Sequence, residues 1–164
     1  MKRFLLFALT VFVLMLLGAC GNSGTKPPAD QLIVGKWQAT EPMVMSQSGM
    51  VVTFANLKTA YAEDRTSSSS ADITLSGSML PQTIEMSFNA EASWAIQGEQ
   101  LSEIITSADI KMKEKISGMP DFGAIFAQQM QAQGTSTSTI IVLDKKTLTV
   151  QADGTGMQIT MKRE

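Results

Sequence analysis

Residues 83–97 read TIEMSFNAEASWAIQ. Ile84, Met86, Phe88, Ala90, Ala92, Trp94 and Ile96 take every second position. Glu85, Ser87, Asn89, Glu91, Ser93 and Ala95 fill the gaps. Seven such positions in a row describe a long strand with one buried face. A helix would scatter the same side chains around its circumference. Gly98-Glu99 follows and reads as a tight hairpin turn, with glycine where positive φ is needed. Leu101 opens the return strand, which extends through LSEIITSADIKM.

Working outward, strand signals recur. LIVGKWQAT begins at Leu32, and MVVTFANLK (50–58) places Val52 and Phe54 on one face. ADITLSGSM does the same for Ile73, Leu75 and Met79. Near the C-terminus come STIIVL (138–143), TLTVQA (147–152) and GMQITMKR (156–163). Asp144-Lys145-Lys146 and Asp153-Gly154 supply turns between them. RTSSSS (65–70) and GTSTST (134–139) read from composition as loops or strand ends. About eight to ten short-linked strands predict an all-β barrel or sandwich. One segment breaks the pattern. In 119–133, Phe122, Ile125, Phe126 and Met130 follow helical spacing, Pro120-Asp121 makes a start and Gly134 a stop. This predicts one amphipathic helix, inserted before the last three strands.

The first residues differ from everything after them. Lys2 and Arg3 precede an apolar run from Phe4 to Leu17, then Gly18, Ala19 and Cys20. A basic end, a short greasy core and small residues describe a secretory leader. The run is too short for a comfortable transmembrane helix, which needs ~20 apolar residues. Cys20 is the only cysteine of the 164 residues, so no internal disulfide can form. A leftover cysteine in an exported chain calls for another use.

Leu17-Gly18-Ala19-Cys20 resembles the lipobox of bacterial lipoproteins at all four positions. The resemblance implies cleavage before Cys20, a diacylglycerol thioether on its sulfur and acylation of its new amine. Two or more acyl chains hold a protein stably to a membrane, whereas one does so marginally. It further implies a place in the cell envelope. Gly21 stands where aspartate would signal inner-membrane retention, which implies the outer membrane if the source has one. Three regions follow: a leader (1–19), a lipidated cysteine with a Gly/Ser/Pro-rich tether (20–31), and a folded domain (32–164). The tether reaches at most about 3.3–3.6 Å per residue.

A second resemblance rests on Gly35-Lys36-Trp37 at the first strand and on Trp94-Ala95-Ile96-Gln97-Gly98-Glu99-Gln100-Leu101. These are similar to the Gly-x-Trp opening and the Trp-x-Ile-x-Gly-x-x-Leu hairpin of small bacterial lipocalin-like lipoproteins. The resemblance implies a lipocalin-like antiparallel β-barrel. It also implies that Arg163, in the last strand, packs across Trp37 as a cation–π pair. The central Thr-Asp-Tyr turn of lipocalins has no counterpart here.

The chemical inventory is narrow. No histidine is present, which removes Ser-His-Asp and Cys-His catalysis and histidine-ligated metal. Cys20 is taken by the anchor. Ser23-x-x-Lys26 falls in the tether, where no nucleophile could be held in place. Glu85 and Glu91 share a polar strand face and read as solvated charges. Lys111–Lys115 reads as a solvated run, with anionic headgroups as the alternative partner. No catalytic residue, metal ligand or cofactor is expected beyond the acyl groups on Cys20. Without the leader, 11 basic residues face 15 acidic ones, a net charge near −4. That is no footprint for nucleic acid.

Ten methionines remain after the leader. Ordinary core packing is their simpler reading, and a cavity for a small hydrophobic ligand is the functional one. Met86, Phe88, Phe122, Phe126 and Met130 are the candidate ligand-binding or partner-binding residues. The helix has three readings: a cap on the barrel, a lid, or a dock for another envelope protein.

Overall fold

A computed structural model describes residues 27–47, 49–78, 80–114, 116 and 121–164. The leader, Cys20, the first part of the tether and Met119-Pro120 lie outside the described residues. The elements run α1 (Ala29–Ile33), β1 (Gly35–Ala39), β2 (Met43–Gln47), β3 (Met50–Tyr61), β4 (Thr66–Gly77), β5 (Ile84–Gln97), β6 (Gln100–Met112), α2 (Phe122–Ala132), β7 (Thr135–Leu143), β8 (Thr147–Ala152) and β9 (Gln158–Arg163). All strand pairs are antiparallel, in the order β1-β9-β8-β7-β6-β5-β4-β3-β2. A further β1–β3 pairing closes eight of the nine strands into a lipocalin-like barrel. β3 makes closure possible by dividing its length. Its first half pairs with β2 and its second half with β1. The single inserted helix, α2, stands before the last three strands, as its periodicity predicts.

The walls are unequal. β3 to β6 are 12 to 14 residues long, whereas β1, β8 and β9 have five or six. β7 pairs with only the first five residues of β6. The long strands therefore extend past the closed barrel as a curved sheet. α2 occupies the flank of β6 that β7 leaves. Gly123 is needed there, since an added Cβ would lie 2.2 Å from the Ile110 carbonyl oxygen.

Three bulges reset which residues face the interior along these strands. An extra residue in β3, near Asn56 (φ 54°), moves the inward set from Val52 and Phe54 to Thr59 and Tyr61. A second, in β6 at Thr106, moves it from Leu101 and Glu103 to Ile110 and Met112. A third lies in β7 at Ile141. Bulges re-aim side chains in this way because one inserted residue reverses the period-2 alternation.

Two apolar cores result. The upper one fills the closed barrel with Trp37, Tyr61, Trp94, Leu101, Leu148 and Met161, stoppered by Leu32 and Ile33 from α1. The lower one lies between the extended sheet and α2, around Ile73, Leu75, Ile84, Met86, Phe88 and Ile110.

Two expectations need correction, and two left open are decided. Residues 29–31, read as tether, and Leu32-Ile33, read as strand, form α1, because Leu32 and Ile33 gain burial in the barrel mouth. Of the two readings of the serine run, strand end holds, since 66–70 opens β4. Its backbone is paired on both sides, to β3 and to β5. Likewise 135–139 belongs to β7. Finally, Ile125 does not join the packed face of α2. It is 49% exposed, while Phe122, Phe126, Ala127 and Met130 face the lower core. At 100° per residue Ile125 stands well away from that face. β2, which carried no clear periodic signal, pairs Met45 with Val52.

Candidate functional site in the barrel interior

The upper end of the barrel is sealed by two tryptophan–arginine stacks. The Trp37 ring is fully buried, and its indole N–H donates to the Ile33 carbonyl at 2.6 Å. The Arg163 guanidinium lies 4.2 Å from the Trp37 ring centre. It donates to the carbonyls of Val34 (2.6 Å), Leu32 and Lys145 (2.8 Å). Gly35 has φ 136°, and a Cβ there would lie 2.0 Å from Arg163 Nη1. This explains why glycine stands two residues before the tryptophan.

The second stack was not anticipated from the sequence. Arg65 lies 4.5 Å from the Trp94 ring centre and pairs with Asp30 of α1 at 2.8 Å. The Trp94 indole N–H donates to the Thr66 carbonyl at 2.9 Å, and Tyr61 meets the ring edge-on at 5.8 Å. Gly98 (φ 63°) forms the β5–β6 turn beside them. Gly35, Trp37, Trp94, Gly98 and Arg163 thus gather at one closed end.

A polar belt lies below this plug. Tyr61, Ser67 and Glu103 face one another across the interior. Ser67 Oγ donates to Glu103 Oε1 at 3.4 Å, and Thr59 and Ser69 share a hydroxyl bond of 2.9 Å. Burial, aided by the nearby Glu103 carboxylate, pushes the Tyr61 phenol well above its ordinary pKa. Burial also raises the Glu103 pKa, against the lowering effect of its bonds from Ser67 and Tyr61. The sequence held a signal for Glu103, since it sits between Leu101 and Ile105 on the inward parity of β6.

The lower core brings Met86, Phe88, Phe122, Phe126 and Met130 together. Met86 and Phe88 are buried in the sheet wall, and Phe54 meets Phe88 edge-on at 6.3 Å. The helix side is different. Phe122, Phe126 and Met130 remain partly exposed, as do Met50, Val52 and Met112 of the sheet. Asp121 caps α2 by accepting the Ala124 N–H at 3.2 Å. The lower core therefore pairs a buried apolar sheet face with partly exposed side chains at its edges. The polar belt stands directly above it, since Ser67 and Ser69 precede Ala71 and Ile73 on the inner face of β4.

The remaining candidates behave as surface groups. Glu85 and Glu91 are exposed. Lys113 pairs with Asp72 at 3.1 Å and Glu85 at 3.6 Å, and the Asp72 pKa is lowered first by the Asn56 amide that donates to it at 2.9 Å and then by Lys113. Lys111 pairs with Asp109 at 2.7 Å. Among the described residues, no group of three or more Cys, His, Asp or Glu is placed to hold a metal ion. Among them, too, no helix is long and apolar enough to cross a membrane. The sequence matches no protein-family model and no curated protein.

Proposed function

We propose that this is a lipid-anchored lipoprotein of the bacterial envelope whose domain binds a small hydrophobic or amphiphilic molecule without catalysis. Cys20 carries the acyl groups, and the lower cleft takes the ligand. The observation that carries the reading is the partly exposed set of Phe122, Phe126, Met130 and Met112 around a buried Met86–Phe88 floor. Exposed apolar surface of this kind is costly unless something covers it, and methionine adapts to irregular apolar partners. The belt of Tyr61, Ser67 and Glu103 suits the polar end of an amphiphile whose chain lies below.

Native mass spectrometry of the protein purified from its own envelope tests this. The expected result is a bound mass in the lipid range, together with displacement of a fluorescent fatty acid. Met130→Lys should weaken that probe about tenfold, consistent with placing a charge against an apolar chain. A consistently empty domain that binds no fatty-acid probe would overturn the reading.

The exposed side chain of Ile125, on the outer face of α2, favours a second reading, in which the helix docks another envelope protein. Crosslinking in cells should then trap one defined partner, and Ile125→Asp should abolish the crosslink.

A further inference from the structure

The β7 bulge has an unusual effect on the outside of the barrel. Ile140 and Leu143 both face the core. Between them stand two residues, where regular alternation leaves room for one on each face. Ile141 and Val142 therefore both turn outward, 48% and 40% exposed. A single exposed apolar residue is ordinary, but an adjacent pair placed there by a bulge is not.

The surroundings of this pair are specific. Ile141 lines a shallow recess with Pro27, Ala29, Leu32, Gly98 and Leu143. Pro27 itself lines the recess. Seven residue steps separate Cys20 from Pro27, a reach of at most about 25 Å. Lys145 and Lys146 are exposed in the β7–β8 turn just beyond Val142. That turn is fixed. Arg163 Nε holds the Lys145 carbonyl, and the Asp144 carboxylate accepts the N–H groups of Lys146 and Thr147 at 2.7 and 2.8 Å. Asp30 at the same end is paired with Arg65, while Glu99, which also lines the recess, and Glu63 and Asp64 of the β3–β4 turn are exposed. The domain is net acidic, so an anionic surface would repel most orientations and favour one that presents lysines.

We infer that the α1 end of the barrel rests on a lipid bilayer, with Ile141 and Val142 dipping into the headgroup boundary and Lys145 and Lys146 facing lipid phosphates. The inference rests on the lipid-anchor reading of Cys20. It leaves the α2 cleft pointing away from the membrane, at the far end of the long strands.

The test uses the processed, lipidated protein in vesicles of phosphatidylethanolamine and phosphatidylglycerol. Single cysteines replace Ile141, or Thr83 at the opposite end of β5, and carry a thiol-linked fluorophore. The 14 residues of β5 span about 45 Å along the strand at ~3.3 Å per residue, or about 35 Å along the axis at a barrel tilt of ~40°. Lipids with a nitroxide near the headgroup should quench the Ile141→Cys probe about threefold or more above the Thr83→Cys probe. Equal quenching, or stronger quenching at Thr83→Cys, would overturn the orientation. In a protein labelled at Glu99→Cys, Ile141→Asp plus Val142→Asp should reduce quenching about twofold. Unchanged quenching there would remove the apolar pair from the contact. The protein without added cysteine should take no label, because its sole thiol is a thioether. Labelling at Cys20 would overturn the anchor reading itself, a failure distinct from the first two.

Discussion

Arg163 ties three separate parts of the chain to one buried ring, so Arg163→Ala gives the sharpest test of the closed end. The variant loses two partly buried bonds to the Val34 and Leu32 carbonyls, a more exposed bond to Lys145, and the stack on Trp37. Hydrogen bonds from a charged donor contribute about 1.5–3 kcal/mol each, and partial exposure argues for the lower figure. With the exposed bond discounted and about 1 kcal/mol allowed for the cation–π contact, the loss is about 4 kcal/mol. For a domain of this size that lowers Tm by about 12–16 °C. Thermal and urea unfolding followed by tryptophan fluorescence would measure it, with a red shift as water reaches the Trp37 ring. Arg163→Lys is the informative companion. An ammonium keeps the charge but cannot span three carbonyls or stack as a plane, so it should recover less than half of the loss. A fall in Tm below about 4 °C for Arg163→Ala, equivalent to roughly 1 kcal/mol, would refute the reasoning. Full rescue by lysine would show that charge, not geometry, holds the end closed.

Gly123→Ala should destabilise by about 1–3 kcal/mol, because the methyl meets the Ile110 backbone and α2 must shift. Alanine favours a helix by about 1 kcal/mol over glycine, so a urea midpoint at or above that of the parent protein would refute the close approach. Glu103→Gln tests the buried belt through pH. Burial raises the folded Glu103 pKa, so the folded protein holds that proton more tightly than the unfolded chain. Its contribution declines as pH rises from the ordinary glutamate value through the raised one. The stability of the glutamine variant relative to the parent should therefore grow across that window and then level off. The lowered pKa values of Asp64, Asp72, Asp153 and Glu164 favour folding at higher pH and lose their effect as pH falls. They are common to both proteins and cancel in the difference, so a flat difference would rule out a buried Glu103. Cys20→Ser should block lipidation and leave unprocessed precursor or soluble protein, and a mature acylated Ser variant on fractionation would sink the lipobox reading.

Much of the candidate cleft was legible because it sits on two strongly periodic segments. Met86 and Phe88 follow from the alternation of β5, and Phe122, Phe126 and Met130 from the spacing of α2. The polar belt was less legible. Glu103 carries the right parity but the wrong polarity for a buried position, and Ser67 looks like a loop residue until its neighbours are known. Arg65 gave no sign of its stack on Trp94, since they meet only when the β3–β4 turn folds over β5.

By itself the sequence determined the long strand 84–97, its turn at Gly98 and the helix before the last three strands. These are local signals, because periodicity records which face of an element is buried whatever it packs against. Only the tertiary structure decided closure through β1–β3, the serine run as a paired strand, α1 as the stopper of the barrel and the outward pair at Ile141-Val142. Each depends on partners far away in the chain. A strand of serines is stable only between two neighbours that take up its backbone hydrogen bonds. A bulge becomes visible only against the strand beside it. The alternation that reveals a strand cannot record the single inserted residue that turns two apolar side chains to the same side.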